Sequence, residues 1–183
     1  GAGLYRLDGD YAQTSGESVE GIKKLLAARN TKPKQVANSP ATGKGKPAAG
    51  GASGAEFAPL LQNYLSLVAE YNKADSSRVY PGSPFIMAHL LRDHDKLKLF
   101  ELHPTDAKTL ADNIAQLSAG RKIAVHAQDG FENVKKFLPP PSRRALVFCD
   151  PSYEMKDDYA RVLAMVTDCL TRFATGTVAV WYP

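Results

Sequence analysis

Residues 145–153 read Ala-Leu-Val-Phe-Cys-Asp-Pro-Ser-Tyr, and this stretch decides the fold. Its first five residues are apolar, which predicts a strand buried on both faces of a parallel sheet. Asp150 and Pro151 then end the strand, because proline cannot donate to a ladder of backbone hydrogen bonds. The predicted strand Ala145–Cys149 is therefore the reference around which the other elements are placed.

Strand and helix patterns alternate on both sides of this strand. The other predicted strands are Leu97–Leu102, Lys122–His126 and Thr177–Trp181. The predicted helices are Thr105–Leu117, capped by Thr105, then Gly130–Phe137 and Lys156–Phe173. Such alternation requires right-handed crossovers, so we predict an α/β, Rossmann-like core over residues 97–183, with a mostly parallel sheet and flanking helices. Sheets of this kind bind ligands beyond the carboxyl ends of their strands.

The first half of the chain is predicted to be mainly helical. Apolar residues at helical spacing indicate helices over Ser15–Ala28 and Glu56–Lys73. Ser83 followed by Pro84 indicates the start of a third helix, with a capping hydroxyl before a proline in the first turn. We expect these helices to form an inserted subdomain that comprises residues 1–30 and 55–96.

The segment 31–54 differs in composition from the rest of the chain. It is rich in Ala, Gly, Pro, Ser and Lys, which predicts a flexible insertion. It holds four lysines and no acid, and 19 basic and 19 acidic residues remain outside it, so the net charge of +4 comes from this segment. A simple spacer and a basic tether to RNA are the alternatives, and charge alone is weak support for nucleic-acid binding.

Several classes of protein are excluded by composition. A chain of 183 residues suits one ordinary domain, and no apolar run approaches the roughly 20 residues that cross a bilayer. Cys149 and Cys169 have no partners at metal-ligand spacing, so we expect neither a metal site nor a disulfide framework. No signal peptide is visible, although a chain that starts without Met could have lost a leader. We expect a cytoplasmic protein, with an organellar location as the alternative.

Acids follow three predicted strands at the edge where a ligand would bind. Glu101 ends the first strand, Asp129 with Gly130 follows the second, and Asp150 follows the third. Each acid could instead be a helix cap or a turn residue. Together with the glycines of residues 1–3 (Gly-Ala-Gly), they indicate a nucleoside cofactor, because carboxylates bind ribose hydroxyls and an exocyclic amine, and glycine lets the backbone approach a ligand.

The segment Asp150-Pro151-Ser152-Tyr153 suits chemistry on an adenine amine. The lone pair of this amine is delocalised into the ring, so an enzyme must hold its two N–H groups with acceptors. A carboxylate and the carbonyl of Pro151 provide two acceptors, and the ring of Tyr153 can stack on an extruded base. A simple Asp-Pro turn is the alternative.

These motifs resemble the bacterial 23S rRNA adenine-N6 methyltransferases, a family formerly described as linked to the use of external DNA. The resemblance covers nearly the whole chain except 31–54. It rests on Gly1-Ala2-Gly3, on residues 80–84 (Tyr-Pro-Gly-Ser-Pro), 101–104 (Glu-Leu-His-Pro), 129–131 (Asp-Gly-Phe), 150–156 (Asp-Pro-Ser-Tyr-Glu-Met-Lys), 172–176 (Arg-Phe-Ala-Thr-Gly) and 181–183 (Trp-Tyr-Pro).

The resemblance implies a class I methyltransferase fold, S-adenosylmethionine as the only cofactor and an adenine of large-subunit rRNA, free of protein, as the target. It implies no membrane and no metal, and we expect a monomer. The residues that it places around the cofactor and the base are Gly1, Gly3, Ser83, Glu101, Asp129, Gly130 and Asp150. Asp150 would be the catalytic acceptor, assisted by Pro151 and Tyr153.

The chain departs from the family pattern at Ser152, where the family has a second proline. We expect a looser turn that keeps Asp150, the Pro151 carbonyl and Tyr153. The family's N-terminal part, with its first sheet strand and histidines that contribute to the cofactor site, and its part after the last predicted strand are expected to be missing here.

Three other functions stay open at this stage. A DNA adenine-N6 methyltransferase would use the same base edge. A non-catalytic nucleic-acid-binding relative is compatible with Ser152. A nicotinamide-dependent oxidoreductase is the third alternative, and the placement of residues 150–153 (Asp-Pro-Ser-Tyr) argues against it. The basic residues between 121 and 144 are either phosphate contacts or an ordinary solvated face. They are Arg121, Lys122, Lys135, Lys136, Arg143 and Arg144.

Overall fold

The computed structural model describes residues 2–7, 19–30, 57–72 and 78–182. The chain divides into two compact units, Leu4–Ile86 and Met87–Pro183 with Gly1–Gly3. The predicted insertion at 31–54 lies outside the described residues. In the described ranges, no helix is long and apolar enough to cross a membrane.

The described residues contain six strands and six α-helices. The strands are β1 (Leu4–Arg6), β2 (Val79–Pro81), β3 (Leu97–Phe100), β4 (Ile123–His126), β5 (Leu146–Cys149) and β6 (Thr177–Val180). The helices are α1 (Lys24–Asn30), α2 (Pro59–Glu70), α3 (Ser83–Leu90), α4 (Pro104–Ala115), α5 (Gly130–Asn133) and α6 (Asp158–Arg172). A π-helical turn at Val19–Lys23 leads into α1, and 3-10 turns at Gly120–Lys122 and Val134–Phe137 precede β4 and follow α5.

The unit Leu4–Ile86 has its own hydrophobic core. Leu65 and Val68 of α2 pack with Leu7, which follows β1, and with Ile22, which precedes α1. Leu65 and Val68 are three positions apart, so both lie on one face of α2. The predicted amphipathic helix Glu56–Lys73 is confirmed in type, although α2 is shorter at both ends.

Strands β1 and β2 were not predicted, since the sequence pattern assigned no strand to residues 4–6 or 79–81. The two strands pair antiparallel, with Tyr5 opposite Tyr80. The side-chain amide of Asn72 donates to the carbonyl of Val79 and accepts from its N–H, both at 2.8 Å. Because the strands are about 75 residues apart in the chain, no local pattern could indicate this pairing.

This core generates a stability prediction. Replacing Leu65, which is 1% exposed, with alanine should lower the free energy of unfolding by about 2–5 kcal/mol, because it leaves a cavity. Leu60 on the same helix is 83% exposed, so Leu60→Ala should change it by less than about 0.5 kcal/mol. Urea denaturation measures both variants, and equal losses would contradict this account of the core.

The unit Met87–Pro183 contains two parallel strand pairs. β3 pairs with β4, with Phe100 opposite His126, and β5 pairs with β6, with Cys149 opposite Val180. The α/β class with parallel strands and flanking helices is confirmed. The four strands do not form one hydrogen-bonded ladder among the described residues, however, since β4–β3 and β5–β6 are separate sheets.

Helices α4 and α6 bury one apolar face each. Ala107, Leu110 and Ile114 are the buried residues of α4, at helical spacing. Helix α4 begins at Pro104 and His103 is its N-cap, so the predicted cap at Thr105 is wrong; proline in the first turn sets the start instead. On α6 the corresponding residues are Val162, Met165 and Cys169.

The prediction that residues 145–149 are buried on both faces is wrong for the described residues. Leu146 is 63% exposed and Phe148 is 41% exposed, whereas Val147 and Cys149, which alternate with them, are partly buried. Successive side chains of a strand point to opposite faces, so only one face of β5 is well covered. An apolar run indicates a strand but does not indicate which neighbours cover it.

Candidate active site

Glu101 lies directly beyond β3, which ends at Phe100 and not at the predicted Leu102, and its side chain is held over the start of α4. The backbone N–H of Glu101 donates to the carbonyl of His126 at 3.1 Å, which continues the pairing of β3 with β4 by one residue. One carboxylate oxygen, Oε1, accepts from the N–H of His103 at 2.9 Å. The carboxylate is therefore positioned by the turn between β3 and α4.

Asp129 lies at the corresponding end of β4, where it caps α5. Its Oδ1 atom accepts from the N–H of Phe131 at 2.9 Å, so the helix-cap alternative describes one of its roles. Its Oδ2 atom forms an ion pair with Nη2 of Arg161 from α6. A Cβ atom at Gly130 would lie 3.2 Å from Cβ of Phe100, so close packing against β3 favours glycine here.

Asp150 and Pro151 follow β5, and the loop that they begin is fastened to the end of β6. The N–H of Trp181 donates to the carbonyl of Cys149 at 2.9 Å, and the hydroxyl of Tyr153 donates to the carbonyl of Trp181 at 2.8 Å. The side chains of Asp150 and Ser152 are exposed. The loop therefore presents its acid to solvent while Tyr153 is anchored.

Tyr153 has an unusual backbone conformation and an aromatic neighbour. Its φ angle is 56°, in the left-handed region that non-glycine residues rarely adopt. Its ring lies 4.7 Å from the ring of Tyr159, centre to centre. Desolvation, followed by the nearby Cys149 and Tyr159, raises the pKa of the Tyr153 hydroxyl, so the hydroxyl stays protonated and keeps donating to Trp181 at neutral pH.

The cysteine beside the acid is chemically quiet. Burial, with a smaller contribution from Asp150, raises the pKa of the Cys149 thiol to about 11. A thiol with this pKa is protonated at neutral pH, and the thiolate is the nucleophilic form. Nucleophilic cysteine catalysis is therefore not supported here. The described residues include no group of three His, Cys, Asp or Glu side chains that could hold a metal ion.

The structure brings some predicted site residues together and leaves others apart. Glu101 and Asp129 lie at one edge because β3 and β4 are parallel neighbours. Gly3 has a φ of 80°, which glycine adopts readily, and the carbonyl of Ala2 accepts from the Asn113 side chain of α4. Ser83 begins α3 and belongs to the other unit. Gly1 lies outside the described residues.

Two of the basic candidates for phosphate contacts have acidic partners within the chain. Lys135 forms an ion pair with Asp168 of α6 at 2.8 Å, and Lys122 lies 3.6 Å from Asp93. These pairs favour a structural role for both lysines over the predicted contacts with phosphate. Arg143 is exposed and has a φ of 54°.

Sequence reasoning missed Arg161 and the anchoring role of Trp181. Arg161 is 32 residues from Asp129 in the chain, and it also lies over the ring of Phe131, 4.4 Å from the ring centre. Trp181 acts through backbone atoms, which carry no sequence signal. In the sequence, Arg161 is one charged residue near the start of an amphipathic helix, and nothing distinguishes it from a solvent-exposed side chain.

Parallel strands with flanking helices and acids at the strand ends define the chain as an α/β methyltransferase fold of class I. A family model described as "Ribosomal RNA large subunit methyltransferase D, RlmJ" matches residues 53–183. The chain belongs to this family, which confirms the resemblance found in the sequence.

Individual relatives agree with the family. Proteins named "Ribosomal RNA large subunit methyltransferase J" from Escherichia coli (strain K12) and Haemophilus influenzae are 38% and 36% identical, over 183 and 184 residues. The match covers 100% of this chain and 55% of each relative, so the chain spans about half their length. A crystal structure of a Legionella pneumophila protein, described as DUF519, has a TM-score of 0.76 and 30% identity, over 100% of this chain and 57% of that one.

The loop geometry generates a prediction for Tyr153. Tyr153→Phe removes the hydrogen bond to Trp181 and keeps the ring, so the amides of residues 152–154 should exchange with solvent about 3- to 10-fold faster. Mass-spectrometric hydrogen exchange measures this. Tyr159→Phe is the matched control, because its hydroxyl has no hydrogen bond among the described contacts, and it should leave exchange unchanged. Equal effects of the two variants would show that the anchor to β6 does not order the loop.

Proposed function

We propose that the complete protein carrying this chain transfers a methyl group from S-adenosylmethionine to N6 of an adenine in large-subunit rRNA. The observation that carries the proposal is the exposed carboxylate of Asp150 at the carboxyl end of β5, followed by Pro151 and the anchored Tyr153. Family membership supports the reaction class, and the names of the relatives support rRNA as the substrate. Protein-free rRNA is the expected form of the substrate.

The donor set at the neighbouring strand ends fits a nucleoside. Glu101 and Asp129 are acceptors that can bind ribose hydroxyls or an exocyclic amine, and Gly3 and Gly130 lie in the same unit. We assign these residues, with Asp150, to the cofactor. When bound, S-adenosylmethionine supplies a methyl group on a positively charged sulfur.

The loop 150–153 would hold the base. The carboxylate of Asp150 accepts one N–H of the adenine amine and keeps the nitrogen oriented, and the carbonyl of Pro151 accepts the other N–H. Asp150 also stabilises the positive charge that the amine gains and takes up its proton. The ring of Tyr153 stacks on the base, and its hydrogen bond to Trp181 fixes the loop in advance of binding.

The proposal is tested by a methyl-transfer assay on protein-free large-subunit rRNA with the complete protein. Asp150→Ala should lower turnover by about 100-fold or more, because it removes the acceptor for the amine. Asp157→Ala is the matched control: Asp157 is an exposed acid whose side chain makes no capping hydrogen bond, and its loss should leave turnover unchanged.

The same assay separates the alternatives. Wild-type turnover by Asp150→Ala would contradict the assignment of Asp150 as the acceptor for the adenine amine. A preference for duplex DNA in competition with rRNA would favour a DNA adenine methyltransferase. If calorimetry detects no binding of S-adenosylmethionine, a non-catalytic nucleic-acid-binding relative is favoured. Ser152 is compatible with this alternative. Mass spectrometry of the nucleosides identifies the product, and N6-methyladenine is the expected result.

A further inference from the structure

The guanidinium of Arg161 meets both parts of the cap of α5. Its Nη2 atom pairs with Oδ2 of Asp129, and its Cζ atom lies 4.4 Å from the centre of the Phe131 ring. Phe131 in turn donates its backbone N–H to Oδ1 of Asp129. Arg161, Asp129 and Phe131 therefore form a closed set of three contacts, which we call the Arg161 clamp.

The clamp fixes the orientation of the Asp129 carboxylate. The helix cap alone would bind only Oδ1 and would leave the carboxylate free to turn about this hydrogen bond. In the Arg161 clamp, Oδ1 is bound by the N–H of Phe131 in α5 and Oδ2 is bound by Arg161 of α6. A carboxylate oxygen has two lone pairs, so each oxygen of Asp129 can still accept one hydrogen bond from a ligand. The carboxylate is partly accessible, at 24% of its side-chain surface, so a ligand can reach it.

The arginine itself is held independently of any ligand. Its ring contact with Phe131 positions the guanidinium plane, and the hydrogen bond to Asp129 raises the pKa of Arg161, so the guanidinium stays charged. Arg161 lies in the first turn of α6, eight residues after Tyr153. The clamp therefore joins the acid beyond β4 to the helix that follows the base-holding loop.

We propose that Arg161 is a positioning residue that holds the Asp129 carboxylate in the orientation that receives the nucleoside of the methyl donor. This rests on the proposed function, in which Asp129 contacts the cofactor. Arg161 acts through Asp129 and does not touch the base or the transferred methyl group. Its loss therefore weakens binding of the donor and leaves turnover at saturating donor nearly unchanged.

The test is calorimetric binding of S-adenosylhomocysteine to the complete protein, together with kcat and KM for the methyl donor. Arg161→Met should raise the Kd and the KM by about 10-fold, as expected when a charge-assisted hydrogen bond is lost, while kcat changes by less than about twofold. Arg161→Lys keeps the charge and should recover part of the affinity.

Lys135→Met is the matched control. Lys135 lies in the 3-10 turn after α5 and forms an ion pair with Asp168 of α6 at 2.8 Å, so it joins the same part of the chain to the same helix without touching Asp129. We expect an unchanged Kd for this variant. An equal rise of Kd in Lys135→Met and Arg161→Met would overturn the proposal, because it would trace the effect to the docking of α6.

The variant Asp129→Ala separates the positioning role of Arg161 from the cofactor-binding role of Asp129. If Asp129→Ala weakens binding and Arg161→Met does not, the positioning role is wrong while the cofactor role of Asp129 stands. If Asp129→Ala leaves Kd unchanged, both are wrong. Circular dichroism melts establish that each variant is folded, and Arg161→Gln carries the same comparison should Arg161→Met fail to fold.

Discussion

Parallel pairing of neighbouring strands is the constraint on which the candidate site depends. Because β3 and β4 run in the same direction, Glu101 and Asp129 emerge at one edge, and the bond from Glu101 N–H to the His126 carbonyl fixes their stagger. Parallel pairing of β5 with β6 likewise places Trp181 beside Cys149, where the carbonyl of Trp181 accepts the hydrogen bond from the hydroxyl of Tyr153. Antiparallel neighbours would have placed these groups at opposite edges.

The residues around Asp150 are more firmly held than Asp150 itself. Asp129 is bound by a backbone amide and by Arg161, and Tyr153 is bound to the end of β6, whereas Asp150 and Ser152 are exposed. This arrangement suits a site that binds two ligands, since a preformed periphery lowers the entropy lost on binding while the central acid stays accessible. Ser152 does not restrict the backbone as a proline would, so the hydrogen bond from Tyr153 to Trp181 contributes more to the order of this loop.

The parts of the molecule that follow from local sequence were predictable, and those that follow from distant pairing were not. The parallel strands and the acids beyond them could be predicted because apolar runs and the residues that end them are local signals. Strands β1 and β2 could not, because their pairing joins residues about 75 positions apart. Arg161 was missed for the same reason. The exposed face of β5 was not predicted, because the hydrophobicity of a strand does not indicate which other elements pack on its two faces.

The central claim is that the acids beyond β3, β4 and β5 form one ligand site. The most direct measurement is a series of ¹H–¹⁵N spectra of the complete protein during titration with S-adenosylhomocysteine. The account predicts that the amide signals of residues 101–103, 129–131, 150, 152 and 153 shift together, with one common dissociation constant. Shifts that leave residues 129–131 and 150–153 unperturbed at saturation would contradict it.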